Sequence, residues 1–187
     1  AYKIIQEWKA NAVNKKRGLS INLATAYFVP KPFTPFQWEA QITPEEYLRR
    51  VHLLQSCLTA RGVDYRYHES DLSRLEAVLA RGDRRLSRVL LRAHELGCKL
   101  DGWDEYFRYD LWLQAFSDCG VDPDFYTTRG FAEDEILPWQ TMDVGVSRAF
   151  FLRERALAYQ SVTTPDCRTK CAGCGARALS ERGVCDE

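Results

Sequence analysis

Three cysteines lie close together near the C-terminal end of the chain, in the segment Cys167-Arg-Thr-Lys-Cys171-Ala-Gly-Cys174. Thiolates at this spacing can converge on one soft metal ion or iron–sulfur cluster, because the intervening turns direct successive side chains inward. The glycines on either side of Cys174 permit tight turns. The pattern predicts a metal site with Cys167, Cys171, Cys174 and, as a candidate fourth ligand, Cys185. Free thiols in a frayed tail are the alternative.

The cysteine count is typical of a protein from a reducing compartment. The chain has seven cysteines, an odd number that suits a metal site better than a disulfide framework. The residues leave the metal open between zinc and an auxiliary iron–sulfur cluster, and zinc would also accept His or carboxylate ligands. No signal-peptide pattern opens the sequence. We therefore predict a cytoplasmic location.

Other side chains that could do chemistry favour structural roles. The three histidines are scattered over different predicted elements, which favours surface or partly buried positions over a shared site. Carboxylates beside an aromatic at 101–105 are interpreted as the capping residues of a helix start. The charged run at 81–85 is interpreted as a solvated helix junction. These residues are His52, His68, His94, Asp101, Trp103, Asp104, Glu105 and the run RGDRR.

The segment Ser20–Trp38 is the one around which the rest of the chain is organised. Its first half alternates with period 2 and neither face is strongly polar, which predicts a buried parallel strand over 20–29. Three prolines then stop strand pairing near Val29, so the chain should run extended beyond it. In barrels of parallel strands the active site lies at the C-terminal ends of the strands. The loop residues Lys31, Thr34, Gln37 and Trp38 would line the barrel mouth; a rigid covering loop is the alternative.

The remaining elements are predicted to be mostly helical. Helix 2–16 followed by the strand forms half of a βαβ unit, which predicts an α/β, helix-rich fold that begins with the last helix and strand of a barrel. Apolar periodicity and capping residues indicate the later elements. These are helices 44–62, 70–82, 86–97, 105–119 and 147–159 and a strand over 63–68. The predicted parts are the barrel end at 1–40, a mostly helical extension at 41–160 and a cysteine-rich tail at 161–187.

Composition excludes several functional classes. The chain has 26 basic and 26 acidic residues, so its net charge is zero and no global field draws it to nucleic acid or to an anionic membrane. No apolar run approaches the roughly 20 residues of a membrane span. At 187 residues and 45% hydrophobic content, the chain is long enough to bury a sizeable core.

Five stretches of the sequence resemble one group of radical S-adenosylmethionine (radical SAM) enzymes, a group that often carries a cobalamin-binding-type domain ahead of its barrel. Together they span most of the chain. The stretches are FVPKPFTPFQW at 28–38, HESDLSRLEAVLARGDRRLSRVL at 68–90, GWDEYF at 102–107, LPWQTMDVGVSRAFFLRERALA at 137–158 and TPDCRTKCAGCG at 164–175.

The resemblance implies that this chain is the C-terminal portion of such an enzyme. The intact protein would bind a [4Fe-4S] cluster and S-adenosylmethionine, with cobalamin as a further candidate cofactor. By resemblance, Val29 and Pro30 lie near the bound S-adenosylmethionine. The family's own three-cysteine motif would lie upstream of residue 1, together with the rest of the barrel and the cobalamin-binding-type domain, so this fragment alone is not expected to be active.

The cysteines at 167–174 have the spacing of the radical SAM cluster motif but a different setting. That motif follows the first strand of a barrel, whereas only 13 residues follow Cys174 here. The position before the last cysteine, usually aromatic in the family, is Gly173. We therefore interpret these cysteines as a separate C-terminal site. A non-catalytic zinc-binding interaction module is the alternative from another functional class.

Overall fold

The computed structural model describes residues 1–14 and 18–176, which form a mixed α/β structure dominated by helix. The predicted helix-rich α/β class is confirmed. No helix among the described residues combines the length and the apolar character needed to cross a membrane. In chain order the elements are α1 Tyr2–Asn11, β1 Ile21–Thr25, α2 Pro44–Cys57, β2 Val63–Tyr67, α3 Ser70–Arg81, α4 Leu86–Leu96, α5 Tyr109–Asp118, a 3₁₀ turn Pro123–Phe125 and α6 Arg148–Tyr159.

The described chain divides into two compact units, each made of two segments. The first, here called the sheet unit, comprises Ala1–Phe28 and Ile42–Arg74. The second, here called the helical unit, comprises Val29–Gln41 and the described chain from Leu75 onward. The predicted part boundaries after residues 40 and 160 stay predictions.

The sheet unit contains a parallel pair of strands. β1 and β2 pair in register from Ile21 opposite Val63 to Thr25 opposite Tyr67, which confirms the parallel orientation and the second strand. Within the described residues, β1 ends at Thr25 and is not covered on both sides, so the predictions of a strand buried on both faces and continuing to Val29 are wrong for this part of the protein. Alternate residues of both strands are exposed in the two-stranded sheet of the described residues.

β1 ends early because the following residues pack elsewhere. The ring of Tyr27 stacks on that of Tyr47 in α2, with centroids 4.3 Å apart and planes within 4° of parallel. The Tyr27 hydroxyl donates to the backbone oxygen of Ile42. Tyr27, Tyr47 and Val51 form the small buried core of this unit. After Thr25 the chain is therefore held by the stacking of Tyr27 on Tyr47 instead of by strand pairing.

Helix α1 is shorter than predicted. It ends at Asn11, because Ala12 adopts an extended conformation with φ −68° and ψ 122°. The prediction that the helix continues past Asn11 is wrong for residues 12–14, and Lys15 and Lys16 lie outside the described residues. No residue of α1 is buried.

Helix α2 begins as its sequence predicts. The hydroxyl of Thr43 accepts a hydrogen bond from the Glu46 backbone N–H at 3.3 Å, and Pro44 occupies the first turn. The Tyr47 hydroxyl donates to the His68 backbone oxygen at 2.9 Å, which ties the helix to the end of β2. The predicted start at the Thr-Pro pair is confirmed, whereas the predicted continuation to Gly62 is wrong because the helix ends at Cys57.

Replacing Glu46 by glutamine should destabilise the sheet unit at pH 7 and have little effect near pH 2. Hydrogen bonds from Arg49 and then Arg50 lower the pKa of Glu46 to about 2, below the value of 4.5 expected for the unfolded chain. A lowered carboxyl pKa contributes stability above the unfolded pKa, and that contribution is lost as the pH falls through the folded pKa. Thermal unfolding of wild type and Glu46→Gln, compared from pH 7 down to pH 2, checks this. A difference in Tm that does not shrink between pH 4.5 and pH 2 would contradict it, with the exposed Glu105→Gln as control.

The helical unit has its main core where α3, α4 and α5 meet. Val78, Val89 and Phe116 are buried there, and Gly97, with φ 105°, ends α4 in the left-handed conformation that glycine favours. A second buried cluster joins the proline-containing loop to α6. Its residues are Trp38, Phe131, Leu137, Trp139 and Phe151.

Helix α5 begins at Tyr109 and not at Glu105. Trp103 N–H donates to Leu100 O at 3.0 Å, and Tyr106 N–H donates to Trp103 O at 2.9 Å, so residues 100–106 form separate turns. The prediction that the carboxylates of this segment cap the helix is therefore wrong.

Candidate functional site

The cysteine segment lies after α6 as a series of turns. Backbone N–H groups two residues further along approach the sulfurs: Gly173 N lies 3.5 Å from Cys171 Sγ, and Ala176 N lies 3.5 Å from Cys174 Sγ. Gly173 has φ 65°, a conformation that a residue with a side chain rarely adopts. Hydrogen bonds of this kind tune thiolates that bind clusters, so the local backbone suits a thiolate ligand.

Backbone contacts hold this segment against the start of α6. The Ser147 N–H donates to Cys174 O at 2.8 Å, and the Arg153 guanidinium donates to Ala172 O. A side chain at position 175 would lie 3.0 Å from Gly145 O, so Gly175 permits the close approach. The segment therefore has a defined position within the helical unit.

The described thiols do not form a metal centre by themselves. Cys167 and Cys171 are exposed and Cys174 is half-buried. In the described part of the chain, no group of three His, Cys, Asp or Glu side chains is placed to hold a metal ion. Cys185 lies outside the described residues. The local backbone therefore suits thiolate ligation, but the three sulfurs are not placed to share one metal ion. The metal site stays a prediction.

Replacing Cys171 by serine should lower the zinc or iron bound per chain and increase proteolysis of the tail. The reason is that a shared metal would supply ordering free energy that this turn-rich segment lacks in apolar contacts. Metal analysis and limited proteolysis of the intact protein measure both quantities. Cys57→Ser, at an exposed cysteine ending α2, is the control. Wild-type metal content and tail protection in Cys171→Ser would show that the cysteines share no site.

The proline-containing loop folds back on itself instead of running extended. Thr34 Oγ donates to Lys31 O at 2.8 Å, and Gln37 N–H donates to Thr34 O at 3.1 Å. Extension beyond the strand was predicted from three fixed proline φ angles, which also fit consecutive turns. Val29 and Pro30 lie at the entrance of this loop with buried side chains. Their contact with S-adenosylmethionine stays a prediction.

The loop forms one wall of a cavity of about 330 Å³ in the helical unit. The buried amide oxygen of Gln37 accepts hydrogen bonds from Trp139 Nε1 at 2.7 Å and from the Phe33 N–H at 3.3 Å. Sequence reasoning placed Gln37 and Trp38 at a site but missed the facing wall from Leu137 to Phe151. Its signal in the sequence is a set of apolar residues at 137, 139, 142, 144 and 146 that lies outside the predicted helices and strands.

The three histidines are exposed and lie apart along the chain, His52 in α2, His68 after β2 and His94 in α4, consistent with their structural interpretation. The interpretation of 81–85 as a solvated junction is wrong for Arg81, which is fully buried, donates to Glu39 O at 2.7 Å and lies 4.6 Å above the Phe131 ring. Burial, and then the nearby Arg129, lower the pKa of Arg81 to about 10.

Comparisons of this chain with protein-family models, with curated proteins and with solved structures found no match.

Proposed function

We propose that this chain is the C-terminal portion of a radical SAM enzyme. The observation that carries the proposal is the incomplete parallel sheet. Within the described residues β1 and β2 each have one hydrogen-bonded neighbour. Parallel strands are normally buried on both faces in larger sheets, so this pair fits best as the end of a barrel whose other strands come from an upstream part of the protein.

The helix ahead of the sheet supports the same proposal. Ile4 is 54% exposed although it lies on the apolar stripe of α1, and Phe28, after β1, is 56% exposed. Apolar stripes of barrel helices normally pack against the strands of their own barrel. The upstream units of a (β/α) barrel would cover these residues.

In the proposed enzyme, the [4Fe-4S] cluster and S-adenosylmethionine would bind upstream of this chain or at its border, and a further metal site would lie at the C-terminal cysteines. The barrel and the upstream cysteine motif would hold the [4Fe-4S] cluster, which would supply one electron for the cleavage of S-adenosylmethionine to methionine and a 5′-deoxyadenosyl radical. Val29 and Pro30 would border the cofactor, and Cys167, Cys171, Cys174 and Cys185 would form a separate zinc or cluster site. The group's cobalamin-binding-type domain is the proposed upstream partner, and the location is cytoplasmic.

Electron paramagnetic resonance of the intact protein, reconstituted with iron and sulfide without oxygen, tests the proposal. Reduction should give a [4Fe-4S]⁺ signal that changes when S-adenosylmethionine is added. Replacing the upstream cysteines by alanine should abolish that change, whereas Cys171→Ser should keep it because its site is separate. A reconstituted protein without a signal that responds to S-adenosylmethionine would overturn the proposal.

A zinc-binding interaction module is the second candidate function. The observation that favours it is the pair of N–H groups directed at the Cys171 and Cys174 sulfurs. In that case the protein as isolated should contain zinc and no iron, and chelation should release the tail without affecting the rest of the fold.

A further inference from the structure

The cavity between the proline-containing loop and α6 is lined mainly by aromatic and aliphatic side chains. Its volume of about 330 Å³ is at the lower end of the range found for sites that bind small organic molecules. Trp139 packs edge-on against Phe131 behind the wall, with ring centroids 5.9 Å apart. The apolar lining includes Phe33, Trp38, Leu137, Trp139, Val146 and Phe151.

One buried hydrogen-bond donor among the residues that line this cavity has no protein acceptor. Trp38 is 2% exposed, and its indole N–H has no hydrogen-bond partner in the described structure. The neighbouring Gln37 amide accepts hydrogen bonds through its oxygen from Trp139 Nε1 and from the Phe33 N–H, so its NH₂ group is the part of the amide left to donate to a ligand. A buried donor without a partner costs about 1–3 kcal/mol. An acceptor group on a ligand in the cavity would remove that cost.

A positive charge lies at the edge of the cavity. Arg148 is the first residue of α6, and its guanidinium lies 5.9 Å from the centroid of the Trp38 ring. None of the ion pairs among the described residues includes Arg148, and Asp143, which also lines the cavity, accepts the Gly145 N–H at 2.7 Å. The amino end of a helix also favours a negative charge. The polar groups of the cavity therefore match an anion.

We propose that this cavity binds a small aromatic carboxylate. The ring would pack among the aromatic walls, and the carboxylate would accept from Arg148 and from the Trp38 and Gln37 donors. One guanidinium and two neutral donors match the single negative charge of a carboxylate. A phosphate dianion would leave one negative charge without a cationic partner in a cavity that is also lined by the Asp143 carboxylate. Because the lining residues do not include Val29 or Pro30, the site is separate from the predicted S-adenosylmethionine contacts.

Binding of 2-naphthoate to the full chain, followed by isothermal titration calorimetry, tests the proposal. The neutral 2-naphthamide has nearly the same shape and should bind at least about tenfold more weakly, since hydrogen bonds to a charged group are the stronger ones. Arg148→Met should weaken naphthoate binding about tenfold and weaken naphthamide binding much less, because the amide loses a hydrogen bond but no ion pair. Arg88→Met is the matched control, because Arg88 is exposed on α4 and also has no ion-pair partner among the described residues.

A second variant tests the buried Trp38 donor separately from the charge. Trp38→Phe keeps an aromatic ring but removes the indole N–H, and it should weaken naphthoate more than it weakens naphthalene. Equal affinity for naphthoate and naphthamide, or no naphthoate binding by a protein with wild-type circular dichroism, would overturn the proposal. Displacement of naphthoate by S-adenosylhomocysteine would overturn it too, because the cavity would then belong to the cofactor site. None of these measurements needs a cluster, so they are independent of the proposed enzyme activity.

Discussion

Replacing Phe116 by alanine should lower the free energy of unfolding of the helical unit by about 3–5 kcal/mol. Phe116 is 3% exposed in the core formed by α3, α4 and α5, and its ring lies 6.4 Å from that of Trp112. Truncation removes the transfer free energy of the ring and leaves a cavity that close-packed neighbours fill only in part. Urea unfolding followed by tryptophan fluorescence measures the change.

Leu113→Ala on the same helix is the control for this prediction. Leu113 is 43% exposed, so its truncation removes less buried surface and should cost less than about 1 kcal/mol. Similar losses for Phe116→Ala and Leu113→Ala would contradict the placement of α5 with its Phe116 side toward the core.

Gly82→Ala should be the second strongly destabilising change, by about 1–3 kcal/mol. Gly82 follows the end of α3, and a Cβ there would lie 1.9 Å from Leu86 Cδ1 and 2.8 Å from Val78 O. Leu86 is buried in the core and Val78 O is backbone, so neither atom can move aside without disturbing the packing of α3 on α4. Chemical denaturation measures the loss.

The matched control is Gly102→Ala, in the exposed turn before α5. No atom lies within 4 Å of the position that its Cβ would take, so the substitution should change stability by less than about 0.5 kcal/mol. If Gly82→Ala were as stable as Gly102→Ala, the close approach of α3 and α4 at Gly82 would be wrong.

Local signals explain the elements that sequence reasoning placed correctly. Thr43 and Pro44 determine the start of α2, Ser147 caps α6 by accepting the Phe150 N–H at 3.2 Å, and Gly97 ends α4. Each signal acts within one turn of the chain, so it is readable without knowledge of the fold.

The errors arose where distant residues decide the structure. β1 was predicted to continue to Val29, but Tyr27 instead stacks on Tyr47 in another element. Arg81 resembles a surface charge, yet a ring 50 residues further along the sequence covers it. The cavity depends on the hydrogen bond between Gln37 and Trp139, residues separated by 102 positions. Periodicity and capping carry no information about such contacts.

The most direct measurement of the central claim is the formation of 5′-deoxyadenosine by the intact protein. The reconstituted, reduced protein should convert S-adenosylmethionine to 5′-deoxyadenosine and methionine in amounts that exceed one equivalent per chain, and the upstream cysteine-to-alanine variant should form none. If liquid chromatography of the reaction detects no 5′-deoxyadenosine from a protein with a full complement of iron and sulfide, this chain is not part of a radical SAM enzyme.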